Sequence, residues 1–220
     1  MGNSASMRLV LPRLYVILDA TLLPISAQDC AQELARAGVR LMQYRNKTAP
    51  ARELLETSRS LASILTRSQV SFIVNDRPDV AALCGADGVH VGQDDLAPDQ
   101  ARSLVSKEKL VGVSTHNLEQ FREAVATSAD YLAVGPIFST ASKANPDPVV
   151  GTELIRKVRG LTDKPIVAIG GITLGTAASV IEAGADCVCV ISDILRAPDI
   201  SRRAQHYLDA VGSARHAASA

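Results

Sequence analysis

Eight short aliphatic runs recur along the chain at near-constant spacing, and each breaks off abruptly in polar residues or glycine. They read as strands at Leu14 to Leu18, Val39 to Tyr44, Phe72 to Val74 and Gly88 to Val91. The other four are Leu110 to Val113, Tyr131 to Val134, Pro165 to Ile169 and Cys187 to Ile191. Between them lie stretches of helical periodicity: Asp29 to Ala37, Arg52 to Thr66, Pro78 to Cys84, Asp99 to Val105, a helix capped by Asn117 with Gln120 as its capping box, Gly151 to Val158, and Leu174 to Ala183. Continuous apolar strands alternating with helices imply parallel strands buried on both faces. Eight such units with no break in composition point to an α/β fold, a single-domain (β/α)8 TIM barrel. A doubly wound open sheet fits less well, because no Gly-x-Gly-x-x-Gly follows the first strand.

The chain has 220 residues, a length that (β/α)8 barrels commonly fill as one domain. The expected organisation is a flexible leader over residues 1–13, the barrel over 14–212 and a flexible tail over 213–220. With 23 basic and 23 acidic residues, no global field draws nucleic acid or an anionic membrane. Tryptophan is absent and aromatics are few, which leaves no stacking platform for single strands. No apolar run approaches the length of a membrane span. Four cysteines lack zinc-finger spacing, and Cys187 and Cys189 alternate with valines, as core thiols on one strand face do. A reducing, cytoplasmic setting suits them. The opening Met-Gly-Asn-Ser-Ala-Ser matches an N-myristoylation pattern formally, but reads better as a leader, with Met7 as a second candidate start.

In such a barrel, function belongs to the C-terminal ends of the strands. The third and fourth strands, joined by the short helix from Pro78, run out into Asn75-Asp76-Arg77 and Gly92-Gln-Asp-Asp95. That places Asp76 and Asp95 side by side, a pair suited to a hard cation such as Mg²⁺, which takes one or two carboxylates together with substrate phosphates. The second strand ends Gln43-Tyr44-Arg45-Asn46-Lys47, and a period of two aims Gln43, Arg45 and Lys47 the same way. Two cations and an amide at a barrel mouth suit an oligophosphate. A second anion site is expected further round, where Gly170-Gly171 and Ile191-Ser192 follow the seventh and eighth strands. Between them lie Ser114-Thr115-His116 and the loop carrying Thr140, Ala141, Ser142 and Lys143, a lysine placed to close over a bound anion. His90, flanked by Val89 and Val91, reads as a packed core histidine. His116 carries no assigned role.

Taken together, Gln43-x-Arg45-x-Lys47, Asn75-Asp76-Arg77, Gly88-Val-His-Val-Gly-Gln-x-Asp95, Gly112-Val-Ser114, Gly135-Pro-Ile-Phe-x-Thr140-x-Ser142-Lys143, Gly170-Gly171-Ile172 and Ile191-Ser192 resemble the thiamine phosphate synthase family in order and spacing. The likeness runs from about Leu14 to about Ala197; the segment Ala144 to Val149 falls outside the motifs. The resemblance implies an enzyme, a transferase that joins an aminopyrimidine methyl diphosphate to a thiazole ethyl phosphate, or its carboxylated form, and releases diphosphate. It implies Gln43, Tyr44, Arg45, Asn46, Lys47, Asn75, Ser114 and Lys143 on the pyrimidine diphosphate, and Asp76 and Asp95 on Mg²⁺. Thr140, Ala141 and Ser142 would lie by the thiazole, with its phosphate on Gly171, Ile191 and Ser192. Arg45, Lys47, Ser114 and Lys143 would act on the departing charge. The partners are then small phosphorylated molecules, with a homo-oligomer open. Two rivals share the fold: a thiazole tautomerase, which needs neither the carboxylate pair nor the Gln-x-Arg-x-Lys row, and a non-catalytic barrel that binds thiazole phosphate.

Overall fold

The computed structural model describes residues 9–140 and 147–214. Eight parallel strands close into a barrel in chain order: β1 (Leu14–Asp19), β2 (Leu41–Arg45), β3 (Ser71–Asn75), β4 (Gly88–Val91), β5 (Leu110–Thr115), β6 (Tyr131–Val134), β7 (Ile166–Ile169) and β8 (Cys187–Val190), with β8 pairing back on β1. Helices α1 (Ala27–Arg36), α2 (Ala51–Arg67), α3 (Pro78–Cys84), α4 (Pro98–Leu104), α5 (Leu118–Val125), α6 (Gly151–Arg159) and α7 (Leu174–Glu182) fill the crossovers. The strand pattern and the α3 bounds agree with the sequence reading. Three local details do not. Helix α1 begins two residues earlier than expected, because the Ser26 hydroxyl accepts from the Asp29 N–H and caps it. The capping box at α5 is only half formed: Asn117 accepts from the Gln120 N–H, but the Gln120 carbonyl oxygen takes the His116 N–H instead. After β8, a single turn α8 (Ser192–Leu195) and a long α9 (Ile200–Ser213) complete the chain, and α9 packs against α7 and α1.

Two cores follow from strand alternation. Outward residues such as Val16, Leu18, Met42, Val74, Val89 and Val134 pack against the helices. Inward residues fill the barrel: Tyr15, Ile17, Leu41, Ile73, Tyr131, Ala133, Val167, Cys187 and Cys189. Both cysteines are free and buried there, as their alternation with valine implies. Burial drives both thiols well above their ordinary values, so they are apolar filling rather than ligands.

The lower rim uses one device three times. The sequence Ala-Asp stands immediately before β4, β6 and β8, as Ala86-Asp87, Ala129-Asp130 and Ala185-Asp186. In each case the aspartate carboxylate accepts a backbone N–H from the first or second residue of the preceding strand: Phe72 at 2.8 Å, Val111 at 2.7 Å and Ile166 at 2.8 Å. Arg102 and Arg159 pair with the second and third of these carboxylates. Below β1, Leu11 is buried, and the Arg13 guanidinium donates to the Val211 and Ala214 carbonyls at the end of α9. The part of the expected leader nearest the barrel is therefore packed.

Candidate active site

The upper rim gathers most of the expected residues, and strand register explains why. Asp19, Arg45, Asn75 and His90 occupy the last inward positions of β1 to β4, with Asp19 opposite Arg45 and Asn75 opposite His90. Arg45 is held by an ion pair to Asp19, which is 2% exposed and also accepts the Thr21 N–H and hydroxyl. The guanidinium is thus fixed at the mouth from below. Gln43 lies one inward position deeper, buried, with its Nε2 donating to the Tyr15 hydroxyl at 2.6 Å. Its Oε1 is buried and has no hydrogen-bond partner among the described residues. Tyr44 points the other way, into the helix layer, and Asn46 accepts the Thr48 and Ala49 N–H groups and shapes the turn into α2.

Asp76 sits just past β3 with φ of 60°, the left-handed region that few non-glycine residues adopt. Strain of this kind persists where the surroundings over-determine a position, as at functional sites. Its N–H is tied to the His90 carbonyl, and its carboxylate meets Lys47 Nζ at 3.0 Å. Asp95 lies in the loop after β4, folded back so that its carboxylate accepts the Gly92 N–H at 2.8 Å. Burial, and then the charge and contact of Asp76, hold the Asp95 carboxyl above its usual value, with Gly92 and Lys47 opposing. A carboxyl raised by burial and by a neighbouring acid marks a place where positive charge is wanted. Among the described residues no cluster of three or more acidic, histidine or cysteine ligands exists, so the pair fits a cation that takes its remaining oxygens from elsewhere, the habit of Mg²⁺.

On the other side of the mouth a cavity of about 480 Å³ opens above β5 to β8. Its lining includes Ser114, Thr140, Gly170, Gly171, Ile191 and Ser192, which brings both expected anion-site segments together. Gly170 and Gly171 have φ of +96° and +66°. A Cβ on Gly171 would lie 2.4 Å from the Ser139 carbonyl oxygen, so only glycine lets the β7 and β6 loops approach here. Ala141, Ser142 and Lys143 lie outside the described residues.

Five ionisable cavity residues, His116, Asp147, Asp193, Arg196 and Arg203, were not singled out as ligands by sequence reasoning. His116 donates from Nδ1 to the Gly135 carbonyl at 2.6 Å, and its Nε2 lies 3.4 Å from an Asp147 carboxylate oxygen. Arg196 caps α8 and Arg203 lies in the first turn of α9, 3.5 Å from Asp193. Asp193 is itself held by the Tyr207 hydroxyl at 2.7 Å. The arginines carry no signal in a single sequence, because α9 brings Arg203 back across the barrel mouth. His90 is buried as expected, yet far from inert: its Nε2 lies 2.9 Å from the Ser114 hydroxyl and its Nδ1 3.1 Å from the Tyr131 hydroxyl.

Comparison with known proteins agrees with this geometry. A family model described as thiamine monophosphate synthase matches residues 14–194. The chain is 50% identical over 210 residues to the thiamine-phosphate synthase of Koribacter versatilis, covering 93% of this chain and 98% of that protein. It is 42% identical over 203 residues to the thiamine-phosphate synthase of Shouchella clausii, covering 92% and 97%. The solved thiamine phosphate pyrophosphorylase from Pyrococcus furiosus superposes with a TM-score of 0.83 at 32% identity, covering 91% of this chain and 96% of that one. With a closed eight-stranded barrel, a carboxylate pair beside Lys47 and the glycine-walled cavity opposite, the chain belongs to the thiamine monophosphate synthase family.

Proposed function

We propose that the two halves of the barrel mouth hold the two substrates of the family's reaction, an aminopyrimidine methyl diphosphate over β2 to β5 and a thiazole ethyl phosphate, or its carboxylated form, in the cavity over β6 to β8. The observation that carries this reading is the pairing of Asp76 and Asp95 beside Lys47 at the same mouth as the glycine-walled cavity. Asp76 and Asp95 would hold Mg²⁺, which when bound supplies positive charge to the diphosphate leaving group. Arg45, kept in place by Asp19, and Lys47 bind the diphosphate oxygens, and Lys143 joins them from the loop after β6. Gln43 receives the pyrimidine ring and Asn75 lies at the same rim. Ser114 stands between the two halves, lining the cavity while touching His90.

The chemistry asks for no protein nucleophile. The bond from the pyrimidine methylene carbon to the diphosphate oxygen breaks, and its electron pair leaves with diphosphate. The electron-rich aminopyrimidine stabilises the carbon left behind. The lone pair of the thiazole nitrogen then forms the new carbon–nitrogen bond. Arg45, Lys47 and Lys143 act by stabilising the departing charge, and the cavity acts by holding the thiazole in line. The thiazole phosphate sits against Gly171, Ile191 and Ser192, with Thr140, Ala141 and Ser142 beside the ring.

Among the described residues no helix is long and apolar enough to cross a membrane; the proposed setting is cytoplasmic, with small phosphorylated molecules as partners. The tautomerase and sensor readings are disfavoured because neither has a use for Asp76 and Asp95 as a pair. Turnover measured with both substrates, with and without Mg²⁺, decides the matter. Diphosphate release that needs both substrates and the metal is the expected result. Activity with the thiazole phosphate alone would overturn the reading.

A further inference from the structure

Inside the barrel, beneath the mouth, five polar side chains from five strands touch in sequence. Gln43 Nε2 meets the Tyr15 hydroxyl at 2.6 Å, Tyr15 meets the Tyr131 hydroxyl at 3.3 Å, Tyr131 meets His90 Nδ1 at 3.1 Å, and His90 Nε2 meets the Ser114 hydroxyl at 2.9 Å. We propose that Tyr15, Tyr131 and His90 are positioning residues, forming a one-directional hydrogen-bonded chain that fixes His90 as its Nε2–H tautomer and so turns the Ser114 hydroxyl into a donor toward the diphosphate. The last step rests on the synthase reading; the chain itself does not.

The direction follows from counting protons. An amide nitrogen only donates, so Gln43 gives to Tyr15. Tyr15 is 1% exposed, and its hydroxyl meets only Gln43 and Tyr131 among the hydrogen bonds of the described residues. Its proton therefore goes to Tyr131, since any other arrangement buries a hydroxyl proton with no acceptor. Having accepted from Tyr15, Tyr131 gives its own proton to Nδ1 of His90. Nδ1 is then the acceptor, Nε2 carries the hydrogen, and Ser114 accepts it. The Ser114 proton is left to point at a ligand. Burial raises both phenols far above their ordinary values, so each keeps the proton that this relay requires. At the opposite end the same chain occupies the Gln43 amide N–H₂ group and leaves Oε1, the unpartnered buried oxygen, as the acceptor.

The barrel is built to admit this chain. Gly112 lies beneath Tyr131, and a Cβ there would lie 2.0 Å from Tyr131 Cζ and 2.4 Å from its hydroxyl oxygen. The Tyr131 ring stacks on His90 at 5.6 Å and meets Tyr15 edge-on at 6.3 Å, so both neighbours are oriented by it.

The test reads the tautomer directly. Long-range ¹H–¹⁵N spectra of histidine-labelled protein, with the His90 signals assigned through His90→Gln, should show Nε2 protonated and Nδ1 unprotonated. A protonated Nδ1 in the wild type, as the other tautomer or the imidazolium, overturns the proposal. In Tyr131→Phe the Nδ1 hydrogen bond is lost, so the nitrogen signals should move toward a tautomer mixture, and kcat should fall about tenfold with a smaller change in KM for the pyrimidine diphosphate, as loss of a transition-state donor requires. Unchanged His90 signals in a folded Tyr131→Phe protein would also overturn it. Wild-type protein with the expected tautomer but no synthase turnover would count against the proposed function alone.

Discussion

Lys47 Nζ lies 3.0 Å from the Asp76 carboxylate, which also neighbours Asp95, so one described lysine faces two acids. A single lysine, more than half exposed, under-compensates that pair, which suits the divalent cation proposed there.

Removing either acid should therefore remove the response to metal. Asp76→Asn keeps a residue that tolerates the left-handed backbone, and Asp95→Asn keeps the shape of its loop. Each is expected to lower turnover by about 10²-fold or more, through lost charge stabilisation at the leaving group. Mg²⁺ should raise the thermal midpoint of the wild type and leave both variants unmoved. Full activity of wild type and variants in EDTA would contradict the assignment.

A carboxylate set into the cavity should discriminate the two substrates. Gly171 is unsuited to this test, because any Cβ there strikes the Ser139 carbonyl. Ser192 lines the same cavity and opens α8. Ser192→Asp is expected to weaken thiazole phosphate binding by about tenfold or more through like-charge repulsion. Pyrimidine diphosphate binding should change little. Calorimetric titration of each ligand gives the answer, and equal loss for both would mean the two halves are misassigned.

Lys47 and Lys143 should separate in steady-state kinetics. Lys47 stands at a strand end beside the acid pair, so Lys47→Ala should mainly raise KM for the pyrimidine diphosphate. Lys143 follows β6 in the sequence, and a cation brought to the leaving oxygen from there would serve best once charge has built up. Lys143→Ala should mainly lower kcat. An unchanged rate at saturating thiazole phosphate would remove Lys143 from the site.

Gly112→Ala should act on stability through a named clash. Its methyl would fall inside the Tyr131 ring, an overpacking expected to cost about 3 kcal/mol and about 10 °C of thermal midpoint. The double variant Gly112→Ala, Tyr131→Leu should recover part of that loss in chemical denaturation. No recovery would place the strain elsewhere.

The barrel was legible because alternating apolar runs and helical periods repeat eight times, and the rim acids because each follows its strand directly. Asp95 and Asp76 needed only a crossover of known hand to be set side by side. What escaped was whatever depends on side chains meeting across the barrel. Nothing in Val89-His90-Val91 says that His90 reaches both Ser114 and Tyr131, because those partners lie 24 and 41 residues away. Tyr15 and Tyr131 look like ordinary strand aromatics until closure brings their hydroxyls together. The Asp19–Arg45 pair was hidden in the same way: each residue reads as the polar stop of its own strand, and only register joins them. Arg203 became visible only once α9 was seen to turn back over the mouth.

The Ala-Asp step before β4, β6 and β8 divides the barrel into hairpin-like wedges of two strands and their intervening helix, each closed below by its own carboxylate. The pair β1 and β2 has no such clasp among the hydrogen bonds described. The foot of β1 is tied instead by Arg13, which reaches the end of α9 at Val211 and Ala214. Three wedges therefore carry a local carboxylate clasp, whereas the first carries a clasp from α9 beside its strand pairing and the Asp19–Arg45 ion pair. The Arg13 contact ties the start of the first strand to the end of the last helix, which makes the final helix the hoop of the barrel.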